Sequence, residues 1–160
     1  GIAPMRPLKL TTFDFLNEVM LINFYSFVEL VRCISKKRNY VPGASLVGVS
    51  SIGSKTGDKS KVAYCASKSA LDSSVRCMAR ELTIKGIRVN TVMPGWVKTD
   101  MYTDYMNNHG NESDAEKSLS RQYFGITEPI EVANAIAYLL SDASCTITGS
   151  SLVIDGGSLS

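Results

Sequence analysis

The chain has 160 residues, enough for one core of ordinary size, with 44% hydrophobic and 20% charged residues and a formal net charge of +2. So small and evenly spread a charge argues against nucleic-acid and membrane-surface partners, and no apolar run approaches the ~18 residues that a bilayer span needs. Cys33, Cys65, Cys77 and Cys145 form no C-x-x-C pair, and only His109 accompanies them, so no zinc site is expected and the thiols read as reduced, in a cytoplasmic protein.

Residues 11–38 read as one long helix, with Thr11 and Asp14 as its start and Asn39 before Pro42-Gly43 as its stop. Its apolar residues, from Phe13 to Ile34, are too dense for one stripe. Such a helix packs on more than one surface, the sheet and a second subunit. Residues 44–50, "ASLVGVS", predict a strand buried on both faces. The loop 51–62 follows, with Lys55, Lys59 and Lys61 read as solvating it. A helix over 63–85 ends at Gly86, and residues 87–93, "IRVNTVM", make the next strand. Strand, helix and strand at this spacing predict a parallel βαβ unit with a right-handed crossover. Pro94-Gly95 breaks the strand. Residues 100–126 are polar with scattered aromatics, a segment holding one or two short helices. Thr127 opens a helix that stops at Ser141-Asp142, and residues 151–154, "SLVI", form a last strand before Asp155-Gly156-Gly157. The expected fold is α/β, an open parallel sheet with helices on both faces.

"YCASK" places Tyr64 and Lys68 on one helix face, one turn apart. An ammonium beside a phenol favours the phenolate, so the Tyr64 pKa is expected below its reference of about 10, suiting it to acid–base work. With 7 Tyr and 10 Lys in the chain, chance alone yields about 0.4 such pairs, so the spacing by itself is weak. Its company strengthens it. Ser51 follows one predicted strand, and Pro94, Gly95 and Thr99 follow the next. Ligands in open α/β sheets bind beyond the carboxyl ends of the strands, so these groups converge on one crevice.

"VSSIGS", "YCASK", "GIRVNTVMPGWVKTD" and "ITGSSLVIDGG", in this order, make the sequence resemble the short-chain dehydrogenases/reductases, and within them the 3-oxoacyl-[acyl-carrier-protein] reductase type. The resemblance implies a Rossmann-like doubly wound parallel sheet and hydride transfer between NADP or NAD, with NADP preferred, and a small carbonyl or alcohol substrate, an acyl thioester among them. Tyr64 would be the acid/base. Lys68 would hold the nicotinamide ribose and lower the Tyr64 pKa, and Ser51 would hydrogen-bond the substrate oxygen. Asn23 would anchor a water relaying protons to Lys68; the competing reading is a polar residue in an irregular helix turn. Pro94, Gly95 and Val97 would line the nicotinamide site, with the Val97 amide and Thr99 hydroxyl on its carboxamide. Thr99 also reads as the cap of the helix that follows. Ser51, Gly53, Trp96, Met101 and Tyr102 would meet the substrate, and residues 100–126 read as a substrate lid or as local packing. His109 is expected to have no role.

The family's T-G-x-x-x-G-x-G phosphate loop does not occur in the chain, and "GIAP" resembles the tail of the family's N-N-A-G-I block. The expectation is therefore a single partial dinucleotide-binding domain over residues 1–160, lacking its N-terminal βαβ half. By the resemblance, the helices over 11–38 and 64–85 would pack against a partner's copies in a homodimer or homotetramer. The alternative is that the chain as given acts only as a non-catalytic assembly module.

Overall fold

The computed structural model describes residues 1–109 and 119–160. Among these, three parallel strands form one sheet in the order β1-β2-β3: β1 Ser45–Val49, β2 Arg88–Pro94 and β3 Ser151–Ile154. The register pairs Ser45 with Arg88 and Val49 with Val92, then Thr91 with Ser151 and Pro94 with Ile154. Successive side chains on a strand point to opposite faces, and β2 uses both. Thr91 faces the helix α3 (Val62–Leu82), where its hydroxyl donates to Asp72, while Arg88 and Asn90 reach the opposite side, to Leu139 and Ile147. Every β2 residue is buried. The edge strand β1 is only half-buried, with Val49 49% exposed, so the expectation of burial on both faces fails there. Among the described residues β1 has a neighbouring strand on one side only.

One core lies where α2 (Ser26–Ile34) and α3 cover the sheet, with Val31, Leu71, Val75, Ile87 and Val89 at its centre. A second lies beneath α5 (Pro129–Leu140), around Val92, Val132 and Leu139, and a small third gathers Phe15, Val19 and Ala63. Each of these side chains contributes about 1.5–3 kcal/mol by leaving water. The predicted strands and the parallel βαβ unit are all present. Beyond β2, α4 (Asp100–His109) opens the expected lid segment. The rest of that expectation, over 110–118, and the side chain of His109 lie outside the described residues.

The long N-terminal helix is not continuous. It runs as α1 (Phe13–Met20), one π turn (Leu21–Tyr25) and α2. Its cap is Thr12 rather than Thr11: the Thr12 hydroxyl accepts from the Phe15 amide at 3.3 Å. It ends at Ile34, short of residue 38, where the Asn39 side-chain Nδ2 donates to the Cys33 carbonyl at 2.7 Å and Arg38 turns the chain at φ +89°. α5 begins two residues later than expected. Glu128 and Glu131 form a capping box with Pro129 at the first helical position, and the Glu128 amide donates to Glu131 at 2.7 Å. No helix among the described residues is long and apolar enough to cross a membrane.

Candidate active site

The crossover from β1 through α3 to β2 delivers the site. Ser51 stands just past the end of β1, Tyr64 and Lys68 on the first turns of α3, and Pro94-Gly95 at the end of β2. All five line one cleft of about 1160 Å³. Gly53, Trp96, Val97 and Thr99 line it too, as do Met101 and Tyr102 from α4. Thus eleven of the twelve residues singled out in the sequence share one cavity; the exception is Asn23.

Ser51 closes a tight turn, its hydroxyl accepting from the Gly53 amide at 3.1 Å. The same hydroxyl bonds the Tyr64 phenol and favours its ionisation, but burial outweighs it and pushes the Tyr64 pKa above the ordinary 10.0. The expected lowering by Lys68 is therefore not what the geometry produces. The ammonium lies 5.8 Å from the Tyr64 ring centroid, and among the described hydrogen bonds it donates to the Val49 carbonyl at 2.9 Å. Burial also pulls the Lys68 pKa below its usual value, and the Asp72 carboxylate works against that pull. Asp72, one turn further along the same face, accepts from the hydroxyls of Ser50 (2.9 Å), Thr91 (2.9 Å) and Ser151 (3.3 Å). It ties α3 to the residue after β1, the middle of β2 and the start of β3. The spacing of Tyr64, Lys68 and Asp72 puts all three on one face of the helix, but nothing in it marks the partners of the carboxylate.

Asn23 is buried in the π turn, and its side chain is committed elsewhere. Its Oδ1 accepts from the Ile2 amide at 2.8 Å, and its Nδ2 donates to the Ile2 carbonyl at 2.8 Å and to Ser67 Oγ at 3.1 Å. It stands close to Lys68 all the same. A Cβ added at Gly1 would lie 2.8 Å from Asn23 Oδ1 and 3.4 Å from Lys68 Nζ. Thr99 caps α4, its hydroxyl accepting from the Tyr102 amide at 3.4 Å and donating to the Val97 carbonyl at 3.3 Å.

Two contributors were not foreseen. Lys61, read as a solvated loop residue, is 8% exposed. Its ammonium pairs with Asp58 at 3.1 Å and sits 5.1 Å from the Trp96 ring centroid and 4.6 Å from that of Tyr105. The second is Gln122, 4% exposed, whose side chain bonds the Trp96 backbone. No sequence pattern marks either, because both act on residues distant in the chain.

The donor set fits one end of a nicotinamide cofactor. An ammonium carries three N–H donors; the Val49 carbonyl takes one of those on Lys68, and the side chain lines the cleft where ribose hydroxyls would accept the others. The Pro94-Gly95 wall and the Thr99 hydroxyl border the same space.

Known proteins match this arrangement. The family model described as enoyl-(acyl carrier protein) reductase covers residues 1–158. D-erythrulose reductase of Gallus gallus is 37% identical over 165 residues, which span 99% of this chain and 64% of that protein. A 3-oxoacyl-[acyl-carrier-protein] reductase of Rickettsia bellii is 34% identical over 89% of this chain and 58% of its own length. A solved structure of 4-hydroxyisoleucine dehydrogenase complexed with NADH superposes with a TM-score of 0.87 at 30% identity, covering 98% of this chain and 64% of that one. The chain thus spans about three fifths of the length of the relatives it matches. Its parallel sheet, its cleft and a match over nearly all its residues have one reading: the chain belongs to the short-chain dehydrogenase/reductase family.

Proposed function

We propose that the protein is an NAD(P)(H)-dependent oxidoreductase that interconverts a carbonyl compound and its alcohol, with Tyr64 as acid and base. The observation that carries this reading is the convergence of Ser51, Tyr64 and Lys68 on one cleft walled by Pro94-Gly95. A bound nicotinamide supplies or accepts the hydride. Tyr64 gives its hydroxyl proton to the carbonyl oxygen as that oxygen gains charge, and takes the proton back in the reverse direction. Ser51 donates a hydrogen bond to the same oxygen, stabilising charge that develops only during reaction. Lys68 holds the ribose and presents a positive charge to the phenolate left on Tyr64. The pKa of Tyr64, raised by burial, favours the protonated acid, the form that reduction requires. Thr99 and the Val97 amide orient the carboxamide, while Asn23, close to Lys68, anchors the water that relays protons to it through the lone pair of Oδ1 that the Ile2 amide leaves open. Met101, Tyr102 and Trp96, with Gly53, shape the substrate side.

The assay follows NADPH or NADH oxidation with acetoacetyl thioesters and small ketones. Tyr64→Phe lowers kcat by about 10²- to 10⁴-fold, the usual contribution of a positioned acid. A Tyr64→Phe protein with full activity overturns the assignment.

A second reading, a non-catalytic assembly module, draws on the exposed Phe13 (77%), Leu21 (57%) and Leu30 (53%) along α1, the π turn and α2. In this reading the chain is not catalytic and only buries this face in an assembly; dinucleotide binding to the chain favours the first reading. Sedimentation that finds a folded monomer at micromolar concentration removes the second.

A further inference from the structure

Gln122 is nearly buried, yet it belongs to no helix face or strand that would place it in the core. Its amide is fully occupied. Oε1 accepts from the Trp96 amide at 2.9 Å, and the two N–H donors of Nε2 are shared among the Trp96 carbonyl at 3.0 Å, the Gly125 carbonyl at 2.7 Å and the Thr127 hydroxyl at 3.1 Å. One primary amide thus pairs with both backbone groups of a single residue, as a neighbouring strand would, and also closes its own turn at Gly125. The surroundings are built to admit it. A Cβ at Gly95 would meet Gln122 Oε1 at 2.6 Å, and one at Gly156 would meet Gln122 Cγ at 2.7 Å, so both positions require glycine. The backbone continues the same tie, with the Thr127 amide donating to the Trp96 carbonyl at 3.0 Å and the Lys98 amide to the Thr127 carbonyl at 2.9 Å.

What this clamp holds is the cleft wall. The Trp96 ring lies 4.7 Å from Tyr105 and 6.0 Å from Tyr102, centroid to centroid, and all three line the cleft. We propose that Gln122 is a positioning residue that fixes the Trp96 peptide, and through it sets both the nicotinamide-facing loop Gly95–Thr99 and the aromatic wall that selects the substrate. Gln122 does not touch the reacting atoms. Its effect on turnover rests on the oxidoreductase reading above, whereas its effect on Trp96 does not.

Trp96 is the only tryptophan in the chain, so its emission reports on this one position. Gln122→Met keeps the side-chain length and deletes the amide. Its Trp96 emission shifts to the red and acrylamide quenches it more strongly than in the unaltered chain. In the turnover assay kcat/KM falls about tenfold to a hundredfold, chiefly through KM, because a misplaced wall loosens binding more than it alters the acid. Ile87→Val, a core change away from the cleft, lowers the melting temperature and leaves the emission where it was, which separates the clamp from a general loss of stability. Should Gln122→Met fail to fold, Thr127→Val removes a single partner at 3.1 Å and produces a smaller red shift. An unmoved emission spectrum and unmoved quenching in a folded Gln122 variant, or in Thr127→Val where the former does not fold, overturn the proposal. If Tyr64→Phe remains active while Gln122→Met still moves the emission, the enzymatic reading fails and the clamp stands. If Tyr64→Phe is inactive and the emission does not move, the reverse holds.

Discussion

Replacing Asp72 with alanine removes a 6% exposed carboxylate on which three hydroxyls converge, those of Ser50, Thr91 and Ser151. A hydrogen bond to a charged group contributes about 1.5–3 kcal/mol net, but three such bonds do not simply add. The Thr91 and Ser151 hydroxyls lie 2.8 Å apart, so the Thr91 proton can turn to Ser151 after the carboxylate is gone and part of the network heals itself. Burying the charge also carried a desolvation cost that the alanine no longer bears. The expected loss is therefore about 3–5 kcal/mol, or a third or more of the stability of an ordinary domain. For a chain of this size each kcal/mol moves the melting temperature by about 2–4 °C, so thermal unfolding should shift down by about 10 °C. Asp72→Asn, which can still accept from one hydroxyl and donate to another, should lose roughly half as much. A double-mutant cycle of Asp72→Asn with Ser50→Ala isolates the 2.9 Å bond and should return a coupling of about 1–2 kcal/mol. A melting temperature within about 2 °C of the unaltered protein in Asp72→Ala would mean that desolvation cancels the hydrogen bonds, and the network would then be no source of stability.

Arg88→Met removes a buried guanidinium that donates to the Leu139 carbonyl (2.9 Å), Ser144 Oγ (3.0 Å), the Ser141 carbonyl (3.1 Å) and the Ile147 carbonyl (3.4 Å); these carbonyls keep Ser45, Ser144 and Asn90 as donors, so the loss in urea unfolding should be about 1.5–3 kcal/mol, that of hydrogen bonds to a charged group. Burial raises the Tyr64 pKa above 10.0, so the folded state binds its proton more tightly than the unfolded chain. That contribution is fully present below pH 10 and is lost as pH rises through the folded value; difference titration against Tyr64→Phe should find this phenol ionising above the ordinary 10.0. Charging the exposed face with Phe13→Glu and Leu30→Glu should move sedimentation toward a monomer while leaving the circular dichroism intact, and an unchanged sedimentation coefficient would remove this face as an interface.

The parts of the structure legible in the sequence are those fixed by local pattern. The strand at 151–154 and the left-handed turn at Gly86 (φ +68°), which closes the 3-10 turn Thr83–Lys85 after α3, follow from apolar runs and a residue that tolerates such a turn. So does the gathering of Ser51, Tyr64, Lys68 and Pro94-Gly95, because strand ends of a parallel sheet share one rim. The remainder depends on partners far along the chain. Lys61 reads as a loop lysine until Trp96 and Tyr105 are folded over it. Gln122 has no periodic context at all. The Tyr64 pKa was misjudged because spacing alone placed the ammonium beside the phenol, whereas depth in the cleft governs the balance.

The π turn at Leu21–Tyr25 has a consequence for how this chain tolerates change. One extra residue in a turn rotates everything after it by about 100° relative to an uninterrupted helix. The inward face of α1, Phe15 and Val19, and that of α2, Val31, are therefore set to a count that includes the extra residue, and Ser26 steadies it by donating to the Ile22 carbonyl at 2.7 Å. Many substitutions on the outer face leave that count alone. Deleting any one residue between 20 and 26 does not: it would relax the segment to a plain helix, swing Val31 toward solvent and draw the Asn23 amide off the Ile2 backbone. In this stretch the number of residues is under tighter constraint than their identity.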